Sequence, residues 1–341
     1  MAASNSLTLS SATFAKLTPH PFLLANLQPA DQSIPSARTN GRQPAQARPY
    51  SINTSSLTHA HGSAVVRSGD TTVICGVRGE TLLASQIPNF RTPSQTAGIE
   101  STSSSSDEDE LRDYDLLVPN VELATGCAPT FLPGVPPTTL AQTLSTRLYS
   151  LLHSSRLLDA EDLRIYHDIS AEMEMEGEEV ETGRAAKEVK AYWVLYIDIL
   201  FVSFDGNPFD VAWAAIVAAL RDTKLPQAHW DVDREIVLCS RDAPSPLSIR
   251  GLPVACTAAV FTAKERQKKG VGQYWILVDP DRLEESLCDE TATMVVDCTS
   301  GETNILTMSK HGGTLVGPAV MKKFATVAEA RWEEFRAVLQ E

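Results

Sequence analysis

The stretch 191–222 constrains the fold most strongly, because it contains a strand and a helix that are both predicted to be buried. Residues 192–202 are rich in β-branched and aromatic side chains, which favour a pleated strand. Residues 211–220 are all apolar, and a helix that is apolar on every side is buried on every side. We therefore predict that this strand, the following turn and the helix lie at the centre of the core.

The turn between this strand and this helix has the composition of a self-capped helix start. Asp205 and Gly206 form a turn signal. Asn207 offers a side-chain oxygen for the helix N-cap, and Pro208 suits the first helical position. A free helix N-terminus binds anions, but Pro208 removes one donor and Asp210 adds a negative charge to the first turn. The sequence therefore favours a structural helix start over a phosphate-binding cradle.

The composition limits the classes of function that this chain can have. Its 341 residues suffice for two domains, and no apolar run reaches the roughly 20 residues that a membrane helix needs. The net charge of −14 argues against an isolated chain that binds nucleic acid by charge alone. Six scattered cysteines without a CxxC pair favour reduced thiols over a zinc site. We expect no metal, no cofactor and no membrane contact.

Changes in composition divide the chain into regions of mixed strand and helix, which predicts the α+β class. The regions are an N-terminal docking extension (1–37), a first domain (38–223) with acidic insertions (91–112 and 167–190), a linker (224–250) and a second domain (251–341). The extension contains a short helix interrupted by prolines. The insertions are low in complexity or rich in glutamate, and such segments are typical of solvated loops.

Several short motifs resemble the RNase PH family. They are Gly-Ser-Ala (62–64), Gly-Asp-Thr-Thr-Val (69–73), Val-Pro-Asn-Val (118–121), Asp-Gly-Asn (205–207), Val-Asp-Pro (278–280) and Lys-His-Gly-Gly (310–313). The pattern continues from residue 14 to the C-terminus, and within the family it is similar to a non-catalytic ring subunit of the eukaryotic RNA exosome core. The resemblance implies an RNase PH-like fold of two ββαβ-type units.

Both catalytic motifs of that family are altered here. Phosphorolytic members bind phosphate through the Thr-Arg pair of an Asp-Gly-Gly-Thr-Arg-Thr-Ala turn, and this chain has Pro208 and Phe209 at those two positions. Two catalytic aspartates of the family, six residues apart, correspond to Glu285 and Thr291. The degenerate positions are Asn207, Pro208, Phe209, Asp210, Glu285 and Thr291. A single carboxylate has little with which to stabilise charge on a scissile phosphate, so the resemblance implies no catalytic residue.

Charged residues elsewhere suggest two candidate RNA contacts and one acidic surface. Arg147, on a helix predicted at 138–152, is either a remnant of the family's RNA-facing surface or an ordinary exposed cation. A basic hairpin tip is either an RNA contact or a solvated turn; its cations are Lys264, Arg266, Lys268 and Lys269. The acidic cluster Glu284, Glu285, Asp289 and Glu290 is predicted to form a solvated face.

The resemblance also implies partners and a location. The expected partners are other RNase PH-like exosome ring subunits in a hetero-hexamer, cap RNA-binding subunits and associated hydrolytic ribonucleases, with RNA passing through the channel. The expected role is to scaffold 3′-to-5′ RNA processing and decay, including rRNA maturation and mRNA turnover, in the nucleus and nucleolus and also in the cytoplasm. The alternative is a phosphorolytic 3′-exoribonuclease with a substituted active site.

Overall fold

A buried helix packs against strands of two β-sheets at the centre of the molecule. The computed structural model describes residues 10–31, 33–88, 90, 110–168, 187–263, 274–288, 290–312 and 317–340. Within these residues the strands form sheets of six, four and two strands. The predicted α+β class is therefore confirmed.

The bounds of the elements are as follows. The helices are α1 (Ser11–Leu17), α2 (Pro19–Leu27), α3 (Thr139–Ser154), α4 (Pro208–Asp222), α5 (Arg282–Leu287) and α6 (Pro318–Gln340). The strands are β1 (Tyr50–Thr54), β2 (Gly62–Ser68), β3 (Thr71–Leu83), β4 (Leu117–Leu123), β5 (Arg164–Asp168), β6 (Lys187–Ser203), β7 (Lys224–Asp231), β8 (Ile236–Pro246), β9 (Val254–Thr262), β10 (Tyr274–Val278), β11 (Glu290–Asp297) and β12 (Asn304–His311).

Strand β6 organises the first sheet. The sheet has the order β1-β2-β3-β6-β4, and β5 also pairs with β6. The pairing of β3 with β6 is antiparallel, whereas β4 runs parallel to β6. The predicted strand at 192–202 lies inside β6, which is 17 residues long. Because β6 ends at Ser203, it delivers the chain directly to the turn at 205–207.

Helix α4 is buried from Pro208 to Leu220, as its apolar sequence predicted. It lies against β2 and β3 of the first sheet and against β9 of the second. A Cβ atom at Gly62 would lie 2.6 Å from the carbonyl oxygen of Ala219, so a glycine allows β2 to approach the helix. The indole nitrogen of Trp213 donates a hydrogen bond of 2.9 Å to the carbonyl of Pro253. The helix thus joins the two halves of the chain.

The second half is a four-stranded sheet covered by a long amphipathic helix. The strand order is β10-β9-β11-β12, with antiparallel pairing throughout. Helix α6 buries Phe324, Ala328, Trp332 and Phe335, which share one helical face at spacings of three and four residues.

Most of the segment predicted as a polar linker at 224–250 is a β-hairpin. Strands β7 and β8 pair in an antiparallel arrangement. Their register shifts between Leu225 and Gln227, where Pro226 has no N–H to donate. The polar side chains are compatible with strands because the hairpin is largely exposed, and backbone pairing satisfies its donors and acceptors.

The N-terminal extension docks onto the second half of its own chain. Its two helices are separated at Thr18, and Pro19 begins the second, as a proline at the first helical position can. Leu23 and Leu27 of α2 are buried in a cluster with Phe261 and Leu277. Most of the predicted acidic insertions, at 91–109 and 169–186, lie outside the described residues. Residues 187–190 begin β6 and so are strand.

Two of the predictions from composition concern the cysteines and the length of the apolar helices. All six cysteines are free, and Cys75, Cys127 and Cys256 are buried. Burial raises the pKa of the Cys256 thiol well above its usual value, which keeps that thiol protonated and unreactive. None of the helices in the described part of the chain combines the length and hydropathy needed to cross a bilayer.

A buried ion pair fastens the segment before β1 to the second half. The Arg38 Nε donates to Oε1 of Glu284 at 2.7 Å, and Nη2 pairs with Oε2 of the same carboxylate. Both side chains are fully buried. The Arg38 Nη1 also donates to the carbonyl of Val278 at 2.6 Å. Removal of Arg38 would leave the buried Glu284 carboxylate with only the longer contact to Arg42, at 3.8 Å.

We predict that Arg38→Ala lowers the free energy of unfolding by about 3–5 kcal/mol, because the buried Glu284 carboxylate then keeps only the longer ion pair with Arg42, at 3.8 Å. Urea unfolding followed by circular dichroism measures the change. The matched control is Arg67→Ala, which removes an exposed pair with Asp70 and should change stability by less than about 0.5 kcal/mol. Equal, small effects of the two substitutions would contradict the prediction.

Candidate active site

The turn between β6 and α4 is held by two successive residues with left-handed backbone. Gly206 has φ +76° and Asn207 has φ +47°, and only glycine adopts such values freely, with asparagine next. A Cβ atom at Gly206 would lie 2.5 Å from the carbonyl carbon of Asp281. The glycine therefore lets the segment before α5 lie directly against the turn, and this places residues of both halves in one site.

Asn207 occupies the N-cap position of α4, but its side chain does not cap the helix, contrary to the sequence prediction. Its Nδ2 donates to Oδ2 of Asp210 and to Oδ1 of Asp279, both at 2.8 Å. The left-handed backbone turns the amide away from the helix donors and towards these two carboxylates. Two acceptors fix the nitrogen of the amide on that side, so Oδ1 is left buried and without a partner.

Glu285 enters the turn from α5. Its Oε1 accepts a hydrogen bond of 2.7 Å from the backbone N–H of Asn207. Burial raises the pKa of this carboxyl group to about 7, because it outweighs the opposing effect of the Asn207 hydrogen bond. The Glu285 carboxyl group thus accepts a hydrogen bond from a backbone N–H at the start of α4. A free helix N-terminus would offer such an N–H group to a bound anion.

The prediction that the acidic cluster at 284–290 forms a solvated face is wrong for three of its four residues. Glu284 is completely buried against Arg38, and Glu290 is 1% exposed and pairs with Lys310. Glu285 faces the turn. The local sequence contains four carboxylates within seven residues. It does not show that Arg38 and Lys310, from other segments, pair with two of them. Asp289 lies outside the described residues.

Asp279 accepts hydrogen bonds from both halves of the molecule. Its two oxygens receive Nε and Nη2 of Arg48 at 2.8 Å each, a bidentate pair. Oδ1 also receives Asn207 Nδ2. Burial alone would raise the pKa of Asp279, but the bonds and charge of Arg48 outweigh burial and lower the pKa to about 2. Asp279 is therefore a permanently charged structural anchor.

The side chains of Phe209 and Asp210 are both buried in the protein interior. Phe209 is 5% exposed, so neither a cation nor a hydroxyl is presented at the two positions of the family's Thr-Arg pair. Asp210 accepts from the backbone N–H and the hydroxyl of Thr257 at 2.7 and 2.6 Å. Burial raises the pKa of Asp210 from its ordinary value. Its carboxylate joins α4 to β9 and does not face solvent.

Arg147 is brought to the site from α3. Its guanidinium carbon lies 4.1 Å from the centroid of the Phe209 ring, within the range of a cation–π contact. The side chain is half-buried and hydrogen-bonds to hydroxyls of β11 and β12. It is thus not an ordinary exposed helix cation, and its contact with RNA stays a prediction.

The remaining predicted positions are not joined to the turn. Thr291 pairs in β11 with Ala259 and His311, and none of the hydrogen bonds of the described residues links its side chain to residues 205–210. The basic tip, with Lys264, Arg266, Lys268 and Lys269, lies outside the described residues. Among the residues that the structure describes, no three acidic, histidine or cysteine side chains are placed to hold a metal ion.

Sequence reasoning missed the residues that hold the site together. Arg38, Arg48, Thr257 and Asp279 fix the turn and the carboxylates around it. Asp279 stood in a motif that signalled the family, at 278–280, and Arg38 stood at the start of the first predicted domain. Their pairing partners lie more than 200 residues away in the chain, and no local pattern specifies such a contact.

Comparisons with known proteins identify the family to which the chain is similar. A model described as the 3′ exoribonuclease family, domain 1 (RNase PH), matches residues 46–226, and its domain 2 matches residues 251–331. The chain is 31% identical to "Exosome complex component rrp43" of Schizosaccharomyces pombe, over 96% of this chain and 97% of that protein. It is 29% identical to "Exosome complex component Rrp42" of Methanothermobacter thermautotrophicus, over 86% of each chain.

Solved structures show the same fold. A chain of the Archaeoglobus fulgidus exosome, described with RNA bound to its active site, superposes with a TM-score of 0.62 and 25% identity, covering 93% of this chain and 96% of that one. A chain of an archaeal exosome core superposes with a TM-score of 0.59 and 22% identity, covering 96% of this chain and 100% of that one. The predicted RNase PH-like fold is confirmed.

The pKa of Glu285 predicts a specific dependence of stability on pH. The folded-state pKa of about 7 lies above the value of an unfolded glutamate, so the folded state binds more protons between about pH 4.5 and 7. Stability from this group is therefore full at low pH and is lost as the pH rises through 7. Glu285→Gln lacks this titration and should gain up to about 3 kcal/mol relative to the parent across that window.

Urea unfolding of the parent and the variant at several pH values between 4.5 and 8 measures the difference. Glu302→Gln, in the exposed hairpin turn, is the control for the loss of one exposed carboxylate. A difference between Glu285→Gln and the parent that does not change with pH would show that the Glu285 carboxyl group titrates normally.

Proposed function

This chain belongs to the RNase PH family of 3′ exoribonucleases, and on that premise we propose that it is a non-catalytic structural subunit of an RNA exosome ring. In this role it scaffolds 3′-to-5′ RNA processing and decay and lines the RNA channel. Support comes from near full-length similarity to two proteins named as exosome complex components. The altered turn supports the non-catalytic part of the proposal.

The observation that carries the proposal is the bond from the Asn207 N–H to the Glu285 carboxyl group. In phosphorolytic relatives the attacking phosphate binds at the start of this helix, next to a threonine and an arginine. Here a carboxyl group of the chain itself takes a backbone donor, and Phe209 is buried at the arginine position. Without the cation and the hydroxyl, little remains to stabilise charge on a reacting phosphate. In this proposal the chain has the fold of the family but does not catalyse the phosphorolytic reaction.

The partners that we propose are other RNase PH-like subunits in a hetero-hexameric ring, cap RNA-binding subunits and associated hydrolytic ribonucleases. RNA reaches this chain through the assembled channel, because a net charge of −14 disfavours tight RNA binding by the isolated chain. The proposed location is the nucleus and nucleolus, and also the cytoplasm, where ring assemblies would serve rRNA maturation and mRNA turnover.

A second candidate function is a phosphorolytic 3′-exoribonuclease with a substituted active site. One observation favours it: the pKa of Glu285 is raised to about 7, and a general acid works best when its pKa is near the working pH. The same carboxyl group, however, accepts a hydrogen bond from Asn207. An assay of the reaction separates the two candidates.

We predict that the purified chain alone releases no nucleoside diphosphates from a 3′-labelled RNA when inorganic phosphate is added, and that Glu285→Gln leaves any release by co-expressed RNase PH-like partner chains unchanged. Chromatography of the labelled products measures the release, with a phosphorolytic RNase PH as the positive control. Phosphate-stimulated release that Glu285→Gln abolishes would establish the second candidate, since partner activity would survive that substitution.

We also predict that the isolated chain self-associates. Strand β12 is at one edge of the second sheet, and it exposes Ile305 (52%) and Met308 (57%). Exposed apolar edge strands pair with other chains. Light scattering after gel filtration should show higher oligomers for the parent and more monomer for Ile305→Thr/Met308→Thr. The control Leu132→Thr, in a loop, should behave as the parent; a monodisperse parent at high concentration would contradict the prediction.

A further inference from the structure

Strand β8 ends in an exposed Ser-Pro pair. A serine or threonine precedes a proline three times in the chain, at Thr18-Pro19, Thr92-Pro93 and Ser245-Pro246, and Thr92 lies outside the described residues. Proline-directed protein kinases phosphorylate a serine or threonine that is followed by proline, provided that the hydroxyl is accessible and the surrounding chain is extended. The structure decides whether Ser245 and Thr18 meet these two conditions.

The backbone at Ser245 is already extended in the folded protein. Ser245 lies in β8, between Pro244 and Pro246. A proline fixes its own φ and has no N–H, and it disfavours the helical region for the residue before it. Pro246 therefore holds Ser245 in the extended conformation. The chain does not have to unfold here to enter the substrate cleft of a kinase.

The side chain of Ser245 is accessible. Residues 241–246 are all exposed, and the Ser245 hydroxyl makes no hydrogen bond to any residue that the structure describes. Within the same part of the chain, β8 pairs with β7 alone. The second edge of β8 is thus open, and a second molecule can approach the hydroxyl from solvent.

The residues before Ser245 bulge out of the hairpin. Gln227 pairs with Ser240, and Leu225 pairs with Ser245, so residues 241–244 of β8 lie opposite the single residue Pro226 of β7. Extra residues in one strand of a pair are left out of the ladder. A kinase can therefore bind residues 241–244 without displacing β7 from them.

Thr18 has the same two-residue sequence in a different setting. Its hydroxyl donates to the carbonyl of Phe14 at 3.2 Å, and its backbone N–H donates to that carbonyl at 3.0 Å. Its own carbonyl accepts from the N–H of Phe22 at 3.1 Å. Extending the chain at Thr18 would break these bonds, which join the ends of α1 and α2. Thr18 is therefore an internal control for Ser245.

We propose that Ser245 is a phosphorylation site for a proline-directed serine/threonine kinase. The Oγ of Ser245 attacks the γ-phosphorus of ATP, and the new P–O bond forms as the bond to the leaving oxygen of ADP breaks. The hydroxyl proton passes to the catalytic base of the kinase. The product adds about 1.5 to 2 negative charges to β8 at pH 7. The site lies on the β7–β8 hairpin, so it does not rest on the proposed function.

The test is incubation of the full-length chain with ATP, Mg²⁺ and a cyclin-dependent kinase bound to its cyclin, followed by digestion and tandem mass spectrometry. Phosphate is expected on Ser245 and not on Thr18. Pro246→Ala should slow phosphorylation of Ser245 at least about tenfold, because alanine restores an N–H and relaxes the extended backbone. Ser248→Ala is the matched control, since this exposed serine is not followed by proline, and it should leave the rate at Ser245 unchanged.

A synthetic peptide of residues 239–251 gives the rate for the same sequence without the fold. If the hydroxyl were reached only through local unfolding, the folded chain would react more slowly than the peptide by the opening equilibrium. A rate for the chain within about tenfold of the peptide rate supports the proposal, and a slower rate overturns it. Absence of phosphate on Ser245 also overturns it, as does a Pro246→Ala chain that reacts as fast as the parent.

Discussion

The buried carboxylate of Asp279 is the interaction on which the rest of the site depends. It is bonded at once to Arg48, from the segment before β1, and to Asn207, from the start of α4. Charge-assisted bonds of this kind are short and directional, and in a buried network each bond polarises the next. One carboxylate thereby fixes three segments that are far apart in the chain, and it determines where the turn after β6 can lie.

Packing groups of this chain occupy the turn between β6 and α4. A left-handed turn still brings a helix start against a segment of the second half. Phe209 now supports the guanidinium of Arg147, and Glu285 takes a backbone N–H. Hydrogen bonds offset part of the cost of burying these polar groups.

The hydrophobic pattern of the sequence was sufficient to predict the elements that are buried in the core. The apolar run in α4 predicted a helix buried on all sides, and the β-branched residues of β6 predicted the central strand. The pattern failed where long-range charge decides the outcome, because Glu284 looks like a surface residue until Arg38 is placed beside it. It failed again at Asn207, where a left-handed backbone, which residue type alone does not specify, redirects the side chain from helix capping to Asp279.

The complete burial of α4 also bears on the order in which the chain can be made. During synthesis this helix leaves the ribosome before β9, the strand that covers one of its sides, has emerged from it. Until then an apolar cylinder is shielded only by the first sheet, and such intermediates are prone to aggregate. The nascent protein therefore passes through a stage at which one apolar side of α4 is uncovered, and a chain truncated before β9 would keep that side exposed to solvent.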